Sequence, residues 1–136
     1  MPRLSLSLLL SFSIFASMSG KWSAPGYFFT EKDEGKCEEV FFQLERTKSK
    51  LKFITGGYSC GILKAEYPAS EFNIVGEEIL YQGNRAGTIS KNEIKISYYD
   101  GVFQLNLKLE KDKLLFKERW YENGDLLVIQ SQMKRN

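Results

Sequence analysis

From Trp22 to the C-terminus apolar and polar residues alternate, and a turn-forming pair interrupts the alternation about every ten positions. A period of two sends successive side chains to opposite faces, so this chain is restricted to antiparallel strands with one buried face and one wet face. The pattern predicts strands over roughly 21–29, 37–47, 50–59, 61–67, 71–75, 79–82, 86–90, 93–99, 102–110, 113–122 and 126–134, the shorter of which can merge. No repeat, low-complexity stretch or linker divides residues 20–136, which read as a single domain.

The clearest hairpin turns at Asp100-Gly101, residues that tolerate the positive φ of a type I′ turn. A two-residue loop there sets Tyr98 opposite Phe103, Ile96 opposite Leu105 and Ile94 opposite Leu107 on one face. Glu93 opposite Lys108, Lys95 opposite Asn106 and Ser97 opposite Gln104 fall on the other. A turn at Lys48-Ser49 places Leu44 near Phe53, Phe42 near Thr55 and Cys37 opposite Cys60. Opposed strand residues lie within bridging range, so a Cys37–Cys60 cross-strand disulfide is expected, and a bulge at Gly56-Gly57 would shift its register by one without undoing it. Candidate tight turns also fall at Gly83-Asn84, Lys91-Asn92, Lys111-Asp112 and Asn123-Gly124.

The first nineteen residues have another character. Met1-Pro2-Arg3 is followed by an apolar, Ser-containing run from Leu4 to Ala16 and by small residues, the layout of a signal peptide. Cleavage is expected after Ser19, with Ala16 as the second choice, and the apolar run is too short to span a bilayer. No Cys near the cleavage region offers a site for lipid attachment. Both Cys would then enter an oxidising space and pair. No Asn begins an N-x-Ser/Thr sequon, which favours the bacterial periplasm or medium as the destination. Loss of Arg3 with no acid lowers the net charge from +2 to +1, which gives no reason to invoke an anionic partner such as nucleic acid. The reading is therefore an exported monomer without stable membrane insertion.

The chain has no His. Imidazole-dependent catalysis, His-ligated zinc and proximal-His haem are excluded, and neither a P-loop nor a dinucleotide-binding glycine pattern is present. No catalytic residue, metal site or cofactor is assigned, and the chain reads as a binding protein, not an enzyme.

Consecutive tight connections without a long crossover favour an all-β, antiparallel up-and-down meander of about 8–10 strands closed as a barrel, with a β-sandwich as the alternative. Gly20-Lys21-Trp22 opens the first strand and Lys134-Arg135 ends the last. A G-x-W at that point with a basic residue on the final strand of an up-and-down barrel resembles the calycin group of lipocalins, avidins and fatty-acid-binding proteins. The resemblance implies that Trp22 plugs one end of the barrel near a basic side chain, and that the barrel is a cup for a small apolar molecule.

Within such a barrel Phe42, Ile96, Leu105 and Phe116 would line the lumen, and a lumen of about 300 Å³ or more would hold a ligand. Glu118 breaks the apolar face Leu114, Phe116, Glu118, Trp120. Either a bulge turns it outward toward Lys117 or Arg119, or it points inward as a polar contact for a ligand. After Asn123-Gly124-Asp125 a two-residue loop puts Leu127, Ile129 and Ser131 inside; a three-residue loop puts Val128, Gln130 and Gln132 inside, with Gln130 opposite Glu118. Glu118 and Gln130 are accordingly the candidate polar contacts for a hydrophobic or amphipathic ligand. Most of the tyrosines would extend their hydroxyls to solvent, and the basic tip formed by Arg46, Lys48, Lys50 and Lys52 would serve solubility. The second functional reading is an envelope protein that binds or inhibits another protein through its outer surface, with Gly56-Gly57-Tyr58-Ser59-Cys60-Gly61 as the contact segment.

Overall fold

The computed structural model describes residues 18–136. Within it lie eleven strands and no helix: β1 (Gly20–Thr30), β2 (Glu34–Arg46), β3 (Lys50–Cys60), β4 (Leu63–Glu66), β5 (Ser70–Val75), β6 (Glu78–Tyr81), β7 (Asn84–Ile89), β8 (Glu93–Tyr98), β9 (Phe103–Glu110), β10 (Lys113–Glu122) and β11 (Asp125–Arg135). All pairings are antiparallel. The sheet runs β2-β1-β11-β10-β9-β8-β7-β6-β5-β3-β4, and pairing of β2 with β3 closes it into a ring. The expected leader lies outside the described residues except for Met18 and Ser19.

β4 and β5 occupy one position in the wall. β3 pairs with β4 through Gly57–Cys60 and with β5 through Lys50–Phe53 in one continuous register. The Tyr67 amide still donates to the Gly56 carbonyl at 2.8 Å. Pairing lapses just beyond, at Pro68, which has no amide hydrogen to give. The barrel thus has ten wall positions, and β4 has no second strand partner.

The β8–β9 register is the expected one, from Glu93–Lys108 to Tyr98–Phe103. Its turn is wider, with Tyr99, Asp100 and Gly101 all at positive φ. The β2–β3 hairpin keeps Leu44 opposite Phe53, but Ile54 is extra, so Phe42 faces Gly56 instead of Thr55. The bulge therefore falls earlier than Gly56-Gly57. The disulfide joins Cys37 and Cys60 as expected. Between β6 and β7 the turn is Gln82-Gly83, one residue before the anticipated pair, with φ of 51° and 83°.

One end of the barrel is sealed around Trp22. Its ring is buried, its indole N–H donates to the Met18 carbonyl at 3.0 Å, and the Arg135 guanidinium lies 4.2 Å above the ring centre. Arg135 also donates to the Ser19 carbonyl at 2.5 Å, and Ser19 Oγ accepts from the Arg46 amide at 2.9 Å. Gly20 has a φ of +135°, a backbone conformation that favours glycine, and the Arg135 guanidinium passes 2.8 Å from where its Cβ would be.

Aromatic rings thread the interior. Phe42 meets Phe53 at 4.8 Å and Phe53 meets Phe72 at 5.1 Å. The row continues through Tyr81, Tyr98 and Phe103 to Trp120 at the open end. Ile94, Leu107, Leu114, Ile129 and Met133 complete a core in which aliphatic and aromatic side chains interdigitate.

Replacing Cys37 and Cys60 together by Ser is expected to lower the unfolding free energy by about 3 kcal/mol, the loop-entropy value for a ring of this size. Urea denaturation of the oxidised protein and the double variant measures it.

Candidate functional site

Regular alternation along β10 carries Glu118 into the barrel. It pairs with Leu105 of β9 and Ile129 of β11, and no bulge intervenes to turn it out. Its accessibility is 1%, and the outward reading of Glu118 is corrected. Lys117 and Arg119, its neighbours in sequence, project to the other face and form no ion pair with it.

The carboxylate is met by neutral donors. The Tyr67 hydroxyl donates to Oε1, the Trp120 indole N–H donates to Oε2 at 3.1 Å, and the Tyr58 hydroxyl also bonds to the group. Burial raises the Glu118 pKa to about 7, and the hydrogen bonds from Tyr58 and Trp120 oppose that rise. Burial foremost, followed by the nearby Glu118 charge, pushes the Tyr58 phenol upward. Tyr58 is buried, contrary to the expectation of solvent-reaching hydroxyls. In a chain without His, Glu118 is the carboxyl group placed to change charge near neutrality.

Gln130 does not join this cluster. The loop between β10 and β11 has two residues, Asn123-Gly124, with Glu122 paired to Asp125. That register puts Leu127, Ile129 and Ser131 toward the interior and Gln130 on the exposed outer face, between Lys117 and Tyr27. The residue opposite Glu118 is Ile129.

Phe42, Ile96, Leu105 and Phe116 are all buried inside the barrel. The first three line an inner cavity of about 110 Å³, with Tyr67, Phe72 and Tyr98 among its other walls. Phe116 packs 6.1 Å from Phe42 and is not part of that lining. The cavity is well below the size expected for a ligand cup, because the row of Phe rings fills the lumen.

The larger concavity lies in the wall. β7 and β8 pair only through Gly87–Ile96, Thr88–Lys95 and Ile89–Ile94. At Gly87 the strands are pressed so close that an added Cβ would collide with the Lys95 carbonyl. Just above, a bulge in the β6–β7 register leaves Ala86 without a partner, and the ladder to β8 stops. The strands part into an open cleft of about 520 Å³ lined by Tyr81, Gln82, Asn84, Arg85, Ala86, Gly87, Ser97, Tyr98, Tyr99 and Asp100. Tyr98 borders both the cleft and the inner cavity. Burial, reinforced by Tyr81 and Tyr99, raises its pKa to about 12.

The cleft was not anticipated from sequence. Its only signals were the Gln82-Gly83 turn ahead of a short strand with an internal Gly, and the doubled Tyr98-Tyr99 before the next turn. The segment proposed for protein contact is corrected as well: Gly56, Gly57, Tyr58 and Cys60 are buried, with β4 laid along them. Among the described residues no group of acidic or Cys side chains is arranged to hold a metal, and no helix is long and apolar enough to cross a membrane. No family model, curated protein or solved structure matches the chain.

The raised Glu118 pKa fixes the sign of a pH effect. Between pH of about 4.5 and about 7 the folded protein holds a proton that the unfolded chain has released, so this group lowers stability as pH rises through that window. The loss is on the order of 3 kcal/mol and is complete above pH of about 7. Glu118→Gln is expected to remove this component. Urea midpoints from pH 4 to pH 8 should show a wild-type minus variant difference that grows more unfavourable to wild type with pH; a flat difference would mean that Glu118 titrates normally.

Proposed function

We propose that the protein is an exported binding barrel whose ligand is a small amphipathic molecule, taken through the β7–β8 cleft instead of into a wide preformed lumen. The observation that carries this reading is the shared Tyr98: an open cleft with mixed polar and aromatic walls adjoins a small, mostly apolar cavity, and Tyr98 borders both. A molecule with a polar end and a short apolar end matches that sequence of surroundings. The Cys37–Cys60 bridge is consistent with export to an oxidising compartment, and the periplasm or medium of a bacterium is the destination we infer. Met18 and Ser19 contribute to the sealed end, which favours leader cleavage after Ala16 over cleavage after Ser19. The Trp22–Arg135 stack also supports kinship with calycin barrels.

A second reading, protein binding, is favoured by a different observation. Ile62 in the β3–β4 turn and Tyr99 in the β8–β9 turn are largely bare at the open end, where a partner surface could cover them.

Titration with the apolar fluorophore N-phenyl-1-naphthylamine separates the two. Saturable binding is expected, weakened at least tenfold by Ser97→Trp, which fills the cleft from an exposed position, and unaffected by Lys52→Trp on the outer wall. Absence of saturable binding would remove the small-molecule reading and leave the protein-contact one.

A further inference from the structure

The cleft carries enough chemistry to say what kind of head group it takes, an inference that rests on the binding function proposed above. Its walls hold one residue of each charge, Arg85 on β7 and Asp100 in the β8–β9 turn. Arg85 has only a loose exposed ion pair, its Nε 3.6 Å from Glu78 Oε1. Among the described residues Asp100 has no ion pair, and the side chains of Gln82, Asn84 and Ser97 have no hydrogen bond to the protein. The cleft therefore offers a carboxylate, a largely uncommitted guanidinium and two amides to an incoming molecule.

The tyrosines narrow the choice. Tyr81 and Tyr98 are 6.3 Å apart and inclined by 76°, and Tyr98 and Tyr99 are 6.2 Å apart and inclined by 51°. Rings set at such angles cannot sandwich a flat ligand, but they can touch a compact rounded group from several sides. A substituted ammonium is such a group, attracted to ring faces and, here, to Asp100 beside Tyr99. The anionic end of the same molecule would meet Arg85 with Asn84 and Gln82. A ligand of one charge would leave the opposite residue of the cleft facing a like charge, which disfavours both purely cationic and purely anionic ligands.

We propose that the β7–β8 cleft binds a zwitterionic head group, a substituted ammonium joined by a short spacer to a phosphate or carboxylate. The ammonium lies against Tyr81, Tyr98 and Tyr99 with Asp100, and the anion lies against Arg85.

Competition against N-phenyl-1-naphthylamine with four amphiphiles of equal chain length, each below its micellar concentration, tests the assignment. Octylphosphocholine is expected to bind at least tenfold more tightly than octyltrimethylammonium, octyl sulfate or octyl glucoside. Asp100→Asn, which suits the positive φ of that turn, and Arg85→Gln should each reduce the preference for octylphosphocholine over octyl glucoside by fivefold or more. Glycerophosphocholine, the head without a chain, distinguishes a soluble ligand from a lipid: competition at similar concentration identifies the head alone as the ligand, and competition only by the octyl compound assigns a lipid. Equal binding of all four amphiphiles would overturn the zwitterion assignment while leaving the amphiphile-binding function standing. Failure of every amphiphile and of the fluorophore would overturn both.

Discussion

Closure of the sheet on itself is the constraint from which the other features follow. β1 is held by β2 on one edge and β11 on the other, so the first and last strands are joined side by side and neither is left as an open edge. Closure needs an interior of fixed width, and this chain fills it with rings from Phe42, Phe53, Phe72 and Phe116. It also needs a seal at the end where β1 begins. Trp22 fills that opening, and Arg135 covers it while bonding to Ser19, so first and last strands are tied through one cation as well as through the ladder. A cation held over a ring in this way contributes between about 0.5 and about 2 kcal/mol, depending on how far it is desolvated. That is a substantial share for a single contact in a domain of ordinary marginal stability.

Packing the lumen moves any binding to the rim. Ten wall positions would permit a wider cavity, yet only about 110 Å³ stays open beneath Tyr98. That cavity meets the wall opening at Tyr98, where the short β6 and β7 form a low hairpin and β8 parts from β7 once Gly87 is passed. The wall is complete where it surrounds the packed core and gives way at the cleft, which borders the small cavity through Tyr98. The Glu118 cluster belongs to the same region, since Tyr67 both donates to Glu118 and lines the cavity. A carboxylate surrounded by phenol and indole donors, with no cation, keeps a polar spot inside the barrel at a cost in stability that varies with pH. Burial of a charge on these terms is a poor way to stabilise a core. What the carboxyl group does is tie Tyr67, which lines the inner cavity, to Tyr58 and Trp120.

Most of the fold was legible because alternation and turn chemistry act locally. Ile94, Ile96, Phe103, Leu105 and Leu107 have one self-consistent arrangement about Asp100-Gly101, and any slip by one residue would expose all of them. The matched spacing of Cys37 and Cys60 about the Lys48-Ser49 turn worked for the same reason, and the Ile54 bulge shifted the register without separating the pair. What sequence could not settle depended on single-residue choices at turns and on pairing at a distance. The inward position of Glu118 required knowing that β10 has no bulge. Gln130 was misplaced because loops of two and three residues at Asn123-Gly124-Asp125 both gave a plausible strand, and the structure uses the shorter. The cleft was harder to foresee for a deeper reason: whether Asn84–Ala86 and Ser97–Tyr99 meet is a matter of pairing between two segments, and neither segment alone records that they do not.

That failure to meet has an identifiable physical origin. A β-bulge adds local twist and bends the strand that carries it, and the β6–β7 bulge falls at Ala86, next to the close backbone approach at Gly87. Gly87 lets the Lys95 carbonyl come against the β7 backbone, which anchors the lower half of the pair. The bend one residue earlier in the chain, at Ala86, then turns Asn84–Ala86 away from β8. Removing the bulge should act on the cleft without dissolving the barrel, since the ladder from Gly87 to Ile89 and the aromatic row stay in place, whereas a side chain at Gly87 would have to push the Lys95 backbone out of that ladder. The opening is thus part of how the strands are built, set by one bulge and one missing Cβ, and the polar and aromatic side chains around it occupy the place where the wall gives way.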